Sequence, residues 1–270
     1  MQDRYAGDLG DFLKFGLLRQ LCAGDGSAAA LQLGVVWYRV QDESHNDDGK
    51  HIAYLRTDSQ YAVYLRSLDR RLYDQLAGVV HSGERSTAAL EAAGVLPIGT
   101  KTFSRRLDFS PLAARRSADR LSYRKSWTAD ALAATAGCDL VFADPDNGIR
   151  RSSHRITKTR TQAVKHAYLD ELAEFAGRGQ SLLIYHHADH SAPVPEQAKR
   201  RLADLADEVP GVAPLAAVRA SRGTTRLFLV TAAPRHLEHL TSRLSGLASS
   251  SWTQEFTVYW WQQALAPARQ

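Results

Sequence analysis

Along the chain, short apolar runs alternate with longer apolar stripes that have the period of a helix. From Asp8 to Cys22 the apolar residues recur at helical spacing, with Asp8 as a suitable N-cap. Apolar runs at 33–38, 139–143 and 180–185 predict buried strands, and a polar cluster follows each run. Strands that alternate with helices in this way predict an α/β protein with a mostly parallel sheet.

The last third of the chain carries a different strand pattern. Residues 214–220 and 226–231 flank a Ser-Arg-Gly turn and predict an antiparallel hairpin, and 256–260 predicts a final short strand. The whole pattern therefore predicts a three-layer α/β sandwich, with the sheet between two helix layers and a C-terminal antiparallel hairpin. We expect one domain over residues 1–270.

The middle of the chain is less regular. Apolar spacing predicts a helical region from Tyr61 to Val80, a helix from Thr128 to Ala136, and a helix that carries Val164, Tyr168, Leu172 and Phe175 on one face. Residues 100–125 are rich in Arg and Ser, which indicates a basic insertion or mobile segment. Residues 150–160 are similarly basic and polar and predict a loop.

Composition narrows the class of protein. The 270 residues are 44% hydrophobic and 23% charged, values typical of a globular protein. No apolar run approaches the roughly 20 residues that cross a bilayer, so we expect no membrane partner. The N-terminal sequence lacks the basic and then apolar pattern of a signal peptide, and the two cysteines have no metal spacing, so we expect a cytoplasmic protein. A net charge of +5 permits a nucleic-acid partner without requiring one.

The most informative polar string is Asp144-Pro145-Asp146-Asn147-Gly148, directly after the clearest strand. The proline turns the chain out of the strand and leaves a carboxylate at the sheet edge. A carboxylate or amide there can accept a hydrogen bond from a substrate amine, which makes Asp144 and Asn147 candidate catalytic residues. The same acids could instead hold a divalent cation, or the string could be an ordinary turn.

Two further polar clusters follow strands. Tyr185 to His190 contains three histidines and an aspartate, residue types that suit acid–base chemistry or a metal. The loop Asp42–Lys50 follows the first strand, where α/β proteins bind cofactors, although it lacks a G-x-G-x-x-G pattern. Because ligands of open parallel sheets bind at the carboxyl ends of the strands, we expect the three clusters to meet.

Basic residues interleaved with aromatic ones form a third type of candidate site. Arginines and lysines can neutralise phosphates while aromatic rings stack on bases. In this pattern, Arg124 and Lys125 lie between Tyr123 and Trp127. The other basic positions are Arg105, Arg106, Arg115, Arg116, Arg150, Arg151, Arg155, Lys158 and Arg160. Ordinary solvated faces are the alternative interpretation. The candidate substrate-binding residues are Asp146, Tyr185, His186, His187 and Lys158.

The string AGDLGDFLK, residues 6–14, resembles the N-terminal signature of the adenine-amine methyltransferases that act on large-subunit ribosomal RNA, roughly A-G-N-x-x-D-x-L-K-H. The family's D-P-P-Y motif falls at Asp144–Asn147, and the closing strand 257–260 is similar to the family's V-x-W strand. The order of the elements is also similar. The resemblance covers most of the chain, at the level of motifs and topology.

This resemblance implies a Rossmann-like fold that binds S-adenosylmethionine (SAM). It implies that Asp144 accepts a hydrogen bond from the target amine and so raises the nucleophilicity of that amine. It further implies that the cofactor is met by Asp11, Lys14, Asp42, Asn46, Gly49 and Asp130. The chain departs from the family at Phe15, where the signature has His, and at Asn147, where the motif has an aromatic residue.

Two alternatives stay open at the level of sequence. One is a metal-dependent hydrolase or nuclease, with ligands from Asp144, Asp146 and the cluster His186–His190. The other is a non-catalytic nucleic-acid-binding relative that keeps the fold without the chemistry. The methyltransferase interpretation and these two alternatives predict three different ligands, namely SAM, a divalent metal ion and a polynucleotide.

Overall fold

We describe the protein from a computed structural model. It describes residues 1–24, 30–43, 49–55, 59–112, 117–151, 157–220, 222 and 224–261. Within these residues the helices are α1 (Leu9–Cys22), α2 (Gln60–Leu68), α3 (Arg70–His81), α4 (Thr87–Ala92), α5 (Ser117–Ala134), α6 (Leu169–Ala176), α7 (Val194–Glu208) and α8 (Leu237–Leu247). The strands are β1 (Leu33–Val36), β2 (Lys101–Phe103), β3 (Leu140–Ala143), β4 (Gly148–Arg150), β5 (His166–Tyr168), β6 (Ser181–His187), β7 (Ala213–Ala220), β8 (Arg226–Ala232) and β9 (Phe256–Trp260).

Seven strands form one sheet in the order β2-β1-β3-β6-β8-β7-β9. The first four strands in this order are parallel, and Leu33 of β1 lies opposite Leu140 of β3. Strand β8 lies between β6 and β7 and is antiparallel to both, and β9 is antiparallel to β7. The predicted α/β class with a mostly parallel sheet is confirmed, and the arrangement is compatible with a Rossmann-like fold.

Alternate residues of each strand enter two separate cores, one on each face of the sheet. Leu140 and Phe142 pack with α1 to α4 and α8, whereas Val141 and Ala143 pack with α5 to α7. This division follows from the two-residue period of a strand, which sends successive side chains to opposite faces. Because both faces are covered by helices, β1 and β3 are apolar along their whole length, with every residue buried.

Helix α1 forms as the sequence predicts. The carboxylate of Asp8 accepts the backbone N–H of Asp11 at 3.0 Å and so satisfies one free donor of the first turn. Twelve of its fourteen residues are buried, because the helix packs against α3 and α8 in the core on one face of the sheet. The charged residues Asp11 and Lys14 are therefore buried together with the apolar residues of the helix.

The structure corrects three of the predicted helices. The region 61–80 is two helices, because Asp69 caps the start of α3 by accepting the N–H of Leu72. Helix α5 begins at Ser117, well before Thr128, since its first turns bury basic side chains that no apolar pattern reveals.

Residues 164–168 do not belong to the α-helix that the sequence predicts for them. Residues 161–165 form a 3-10 turn, and 166–168 form β5 in a parallel ladder with β4. Helix α6 starts only at Leu169.

The segment 100–125 contributes to both the sheet and a helix. Lys101–Phe103 is the edge strand β2, and residues from 117 onward belong to α5, while residues 113–116 lie outside the described part of the chain. None of the helices in the described ranges is long and apolar enough to cross a membrane.

Candidate functional site

A cavity of about 310 Å³ opens at the carboxyl ends of β1, β3 and β6. Residues of all three predicted polar clusters reach it, although β6 runs to His187, two residues further than the sequence predicts, so Tyr185 and His187 lie in the strand and not after it. The members that line the cavity are Glu43, Gly49, Asp144, Asp146, Asn147, Tyr185 and His187, and His51 next to the first cluster also lines it. The expected meeting of the three clusters is therefore seen in the described residues, for the topological reason that parallel strands end at one edge of a sheet.

Helix α1 brings a charged pair to the same cavity. Asp11 and Lys14 are three residues apart and so lie on one face of the helix, where their charged atoms are 2.7 Å apart. The ammonium of Lys14 also lies 2.9 Å from Oδ2 of Asp144, directly after β3. All three residues are at most 5% exposed. Lys14 thus joins the first helix to the strand end through a buried three-charge cluster.

The environment of this cluster shifts the pKa of two of its members. Burial raises the pKa of Asp11 to about 6, and the nearby ammonium of Lys14 only partly opposes this rise. Burial alone would lower the pKa of Lys14, but the two carboxylates on either side raise it instead. Lys14 therefore stays an ammonium, which also lies over the rings of Phe15 and Trp37 at 5.1 and 5.3 Å.

A second charged network lies around Asp146. Its Oδ2 accepts the Nε2–H of Gln2 at 3.1 Å and lies 3.3 Å from Nζ of Lys165, which also pairs with Glu43. Burial opposes ionisation of Asp146, yet the amino terminus, Gln2 and Lys165 lower its pKa below the ordinary value. Because Gln2 also accepts the N–H of Glu43 at 2.9 Å, the network ties the loop after β1 to the end of β3.

Arg226, the first residue of β8, closes another wall of the cavity. Its guanidinium lies 3.7 Å from Oδ2 of Asp8 and donates to the carbonyl of Thr224 at 3.0 Å. A Cβ on Gly10 would lie 2.5 Å from this guanidinium, so a side chain there would displace the end of Arg226. Arg226 is only 9% exposed, which fixes its charge beside the helix start.

Tyr185 and His186 are neighbours near the end of β6, and their side chains point in opposite directions. Tyr185 faces the cavity, with its hydroxyl 3.4 Å from Nδ1 of His187, and burial raises its pKa. His186 points the other way, and its Nδ1 accepts the N–H of Ile149 at 3.2 Å. Burial lowers the pKa of His186 to about 3, so this histidine is neutral at physiological pH.

The other candidate residues lie elsewhere. Asp130 pairs with Arg105 on the surface of α5, and Lys158 pairs with Asp170. Asp42 is exposed and does not line the cavity. Asn46 lies outside the described residues. Gly49 lines the cavity, with a φ of +82° that favours glycine, and a Cβ there would lie 2.5 Å from the carbonyl oxygen of Arg4.

Sequence reasoning does not single out Lys165 and Arg226. Each is an isolated cation next to a turn or strand start, and no local spacing distinguishes it from a solvated residue. The sequence does single out Asp8, but only as the N-cap of α1. Its place between Arg226 and Asp11 depends on β8, more than 200 residues away in the chain.

The carboxylates of the cavity are paired with cations rather than with one another. Asp144 pairs with Lys14, and both Glu43 and Asp146 pair with Lys165. Among the residues with described positions, no group of three or more His, Cys, Asp and Glu side chains is arranged to hold a metal ion. The cluster 186–190 does not converge, because His186 turns away from the cavity and His190 is exposed.

Many of the basic residues expected at a nucleic-acid surface are paired with acids. Arg124 is buried and forms a bidentate pair with Glu171, through hydrogen bonds of 2.6 and 2.9 Å. Arg151 lies among three acids of α7, at Asp204, Asp207 and Glu208. Arg115, Arg116 and Arg155 lie outside the described part of the chain.

Comparison with known proteins gives no family assignment. No protein-family model matches the chain, and no curated protein matches it. The cavity and the motifs that line it are therefore the features that bear on function.

Proposed function

We propose that this protein transfers a methyl group from SAM to an amine, with the exocyclic amine of an adenine in nucleic acid as the favoured substrate. The observation that carries the proposal is the position of Asp144. Its carboxylate follows β3, lines the cavity and is held at 2.9 Å by a buried ammonium on α1. The residues that resemble the N-terminal signature and the D-P-P-Y motif of the rRNA adenine methyltransferases thus meet at one point.

Asp144 is suited to bind and orient an amine. Its Oδ2 accepts a hydrogen bond from Lys14, and Oδ1 is the oxygen that can accept the N–H of a substrate. A hydrogen bond from the amine to a carboxylate increases the electron density on nitrogen and aligns its lone pair. Catalysis in this proposal is positioning and electrostatics, with no covalent intermediate on the protein.

The charge of the cavity fits the cofactor. Five acidic side chains line it, namely Asp8, Asp11, Glu43, Asp144 and Asp146, against the three basic side chains Lys14, Lys165 and Arg226 and the amino group of Met1. An excess of carboxylates attracts a cation, and the sulfonium of SAM is a cation. When bound, SAM would supply an electrophilic methyl group to the amine. Of the residues expected to meet it, Asp11, Lys14 and Gly49 line the cavity.

The sheet supports the same proposal. Strand β8 lies antiparallel between β6 and β7, as expected for the C-terminal antiparallel hairpin of the fold that the motifs imply. The cavity volume of about 310 Å³ is at the lower end of the range for small-molecule sites. No observation in the described residues specifically favours the metal-dependent hydrolase or the non-catalytic nucleic-acid binder.

The test is methyl transfer from radiolabelled SAM to short adenine-containing RNA and DNA strands, with SAM binding measured separately by calorimetry. We expect the wild type to bind SAM and label a strand. We expect Asp144→Asn to reduce labelling by about 100-fold or more while SAM still binds, because the carboxylate acts on the amine. The matched control is Asp74→Asn, which removes an exposed carboxylate paired with Arg66. Absence of SAM binding by the wild type would overturn the proposal.

A further inference from the structure

The cluster Asp144–Lys14–Asp11 contains more charge than amine binding requires. Two carboxylates flank one ammonium, so the buried cluster carries a net charge of −1. A single ion pair between Lys14 and Asp144 would already fix the strand end to α1. The second carboxylate, Asp11, lies beyond Lys14 and lines the same cavity.

We propose that these three side chains form a proton relay, in which Asp144 takes the proton that the substrate amine loses and Lys14 passes a proton on to Asp11. The proposal rests on the proposed methyltransferase function, because methylation of an amine is the step that releases a proton. It assigns Asp11 a role in the reaction rather than in cofactor binding.

The geometry permits transfer along the cluster. Nζ of Lys14 is 2.9 Å from Oδ2 of Asp144 and 2.7 Å from Oδ1 of Asp11, both within hydrogen-bond distance. The rings of Phe15 and Trp37 lie beside the ammonium and hold it between the two carboxylates. The other oxygen of Asp11 accepts the N–H of Gly7 at 2.9 Å, which fixes the orientation of the carboxyl group.

Every bond and proton in the transfer is accounted for by the substrate amine, SAM and the three side chains. The lone pair of the amine nitrogen forms the N–CH₃ bond, the S–CH₃ bond breaks, and the sulfur keeps that electron pair. The nitrogen gives one proton to Oδ1 of Asp144, the oxygen that Lys14 does not contact. The neutral carboxyl group of Asp144 then rotates, so that this proton faces Nζ of Lys14. Lys14 gives one of its own protons to Oδ1 of Asp11 and takes up the proton of Asp144 in its place. The methylated amine leaves neutral, Lys14 and Asp144 keep their charges, and Asp11 ends as a neutral carboxyl group.

Burial favours this direction of transfer. A buried cluster of net charge −1 becomes neutral when it gains one proton, and a low-dielectric environment penalises net charge. The pKa of Asp11, raised by burial to about 6, makes its carboxylate a competent acceptor near neutral pH. The charged and titratable groups that face it are Lys14 on its own helix, Asp8 at the helix start and the buried hydroxyl of Tyr54, with Asp144 on the other side of Lys14 and Arg226 of β8 paired to Asp8.

The first experiment measures methyl transfer in a single turnover between about pH 5 and about pH 8, with radiolabelled SAM and an adenine-containing strand. For the wild type we expect the rate to fall as the pH drops below about 6, since a protonated Asp11 accepts no proton. For Asp11→Asn we expect a rate about 100-fold lower with no inflection in this range, and SAM affinity within about threefold of the wild type. Glu196→Gln, which removes an exposed carboxylate on α7, is the matched control and should behave as the wild type.

A second measurement uses the wild type, so its outcome does not depend on whether Asp11→Asn folds. Methyl transfer in D₂O should be slower than in H₂O by about twofold or more, since protons move in the step. A purely structural Asp11 predicts that the inflection near pH 6 is the same in Asp11→Asn as in the wild type. A rate for Asp11→Asn within about twofold of the wild type, or a wild-type rate equal in both solvents, would overturn the relay. Either result would leave the proposed function standing, whereas a wild type that binds no SAM overturns both.

Discussion

The ammonium of Lys14 lies between two buried carboxylates that come from different parts of the chain. It lies at 2.7 Å from Asp11 and 2.9 Å from Asp144, and its side chain is 6% exposed. Removing one partner of a buried ionic cluster leaves the others uncompensated, which costs far more than losing a surface pair. The residue therefore contributes to stability as well as to the proposed reaction.

We predict that Lys14→Met lowers the free energy of unfolding by about 3–5 kcal/mol at neutral pH, as measured by urea denaturation. Methionine keeps most of the apolar stem and removes the charge. Lys125→Met, on the exposed side of α5, is the matched control and should change stability by no more than about 0.5 kcal/mol. Equal effects of the two substitutions would show that the cluster carries little stability.

His186 makes the stability depend on pH. Burial lowers its pKa to about 3 from an ordinary 6.5, so the unfolded chain takes up a proton in a range where the folded chain does not. Its contribution to stability is present above about pH 6.5 and is lost as the pH falls toward 3.

The matched variant is His186→Asn, whose Oδ1 replaces Nδ1 as acceptor for the N–H of Ile149. Between about pH 7 and about pH 5 we predict that the wild type loses about 1–2 kcal/mol more stability than the variant. The measurement is urea denaturation of both proteins at each pH. A difference that does not change with pH would show that His186 titrates in the folded protein as it does in the unfolded chain.

Among the secondary-structure elements, α1 packs so closely against its neighbours that there is no room for a Cβ at Gly16. An added Cβ would lie 2.3 Å from the ring of Trp252. That ring is stacked on Phe12 at 5.4 Å and on Phe256 at 5.6 Å, so aromatic neighbours restrict its movement. Helix propensity favours alanine over glycine by about 1 kcal/mol, but packing opposes it at this position.

We predict that Gly16→Ala destabilises the protein by about 1–3 kcal/mol in a denaturation experiment. Gly78→Ala on the exposed side of α3 is the control, because a Cβ there meets nothing within 4 Å. It should stabilise the protein by about 0.5–1 kcal/mol through backbone entropy. Stabilisation by both substitutions would show that Trp252 moves aside at little cost.

Elements with one strong local signal were predicted well, and elements without one were not. Strands β1, β3 and β6 are apolar runs bounded by polar clusters, and α1 has both a helical stripe and a cap. The first turns of α5 have neither signal, because Arg124 is buried only through its pair with Glu171 of α6. Strand β5 depends on its ladder with β4, eighteen residues earlier in register, so its three residues show no periodicity of their own.

At the scale of the whole molecule, a ligand that binds only the folded state raises the melting temperature. At SAM concentrations about 100 times the dissociation constant we predict stabilisation by about 2.7 kcal/mol, or roughly 5–8 °C for a chain of this size. Thermal unfolding with SAM, and in parallel with Mg²⁺, Mn²⁺ and Zn²⁺ after chelator treatment, measures it. A shift with a metal and none with SAM would contradict the proposed function and favour the metal-dependent alternative.

The class of fold, the first helix and the edge of the sheet at which the cavity lies all follow from the amino-acid sequence. These features depend on local properties, namely the periods of strand and helix, a capping aspartate and a proline after a strand. Which charges meet depends instead on how the chain folds in three dimensions. Lys14 and Asp144 are 130 residues apart, and Arg226 reaches Asp8 from β8. Such pairs are set by sheet register and helix packing, which place distant residues together without leaving a pattern near either one.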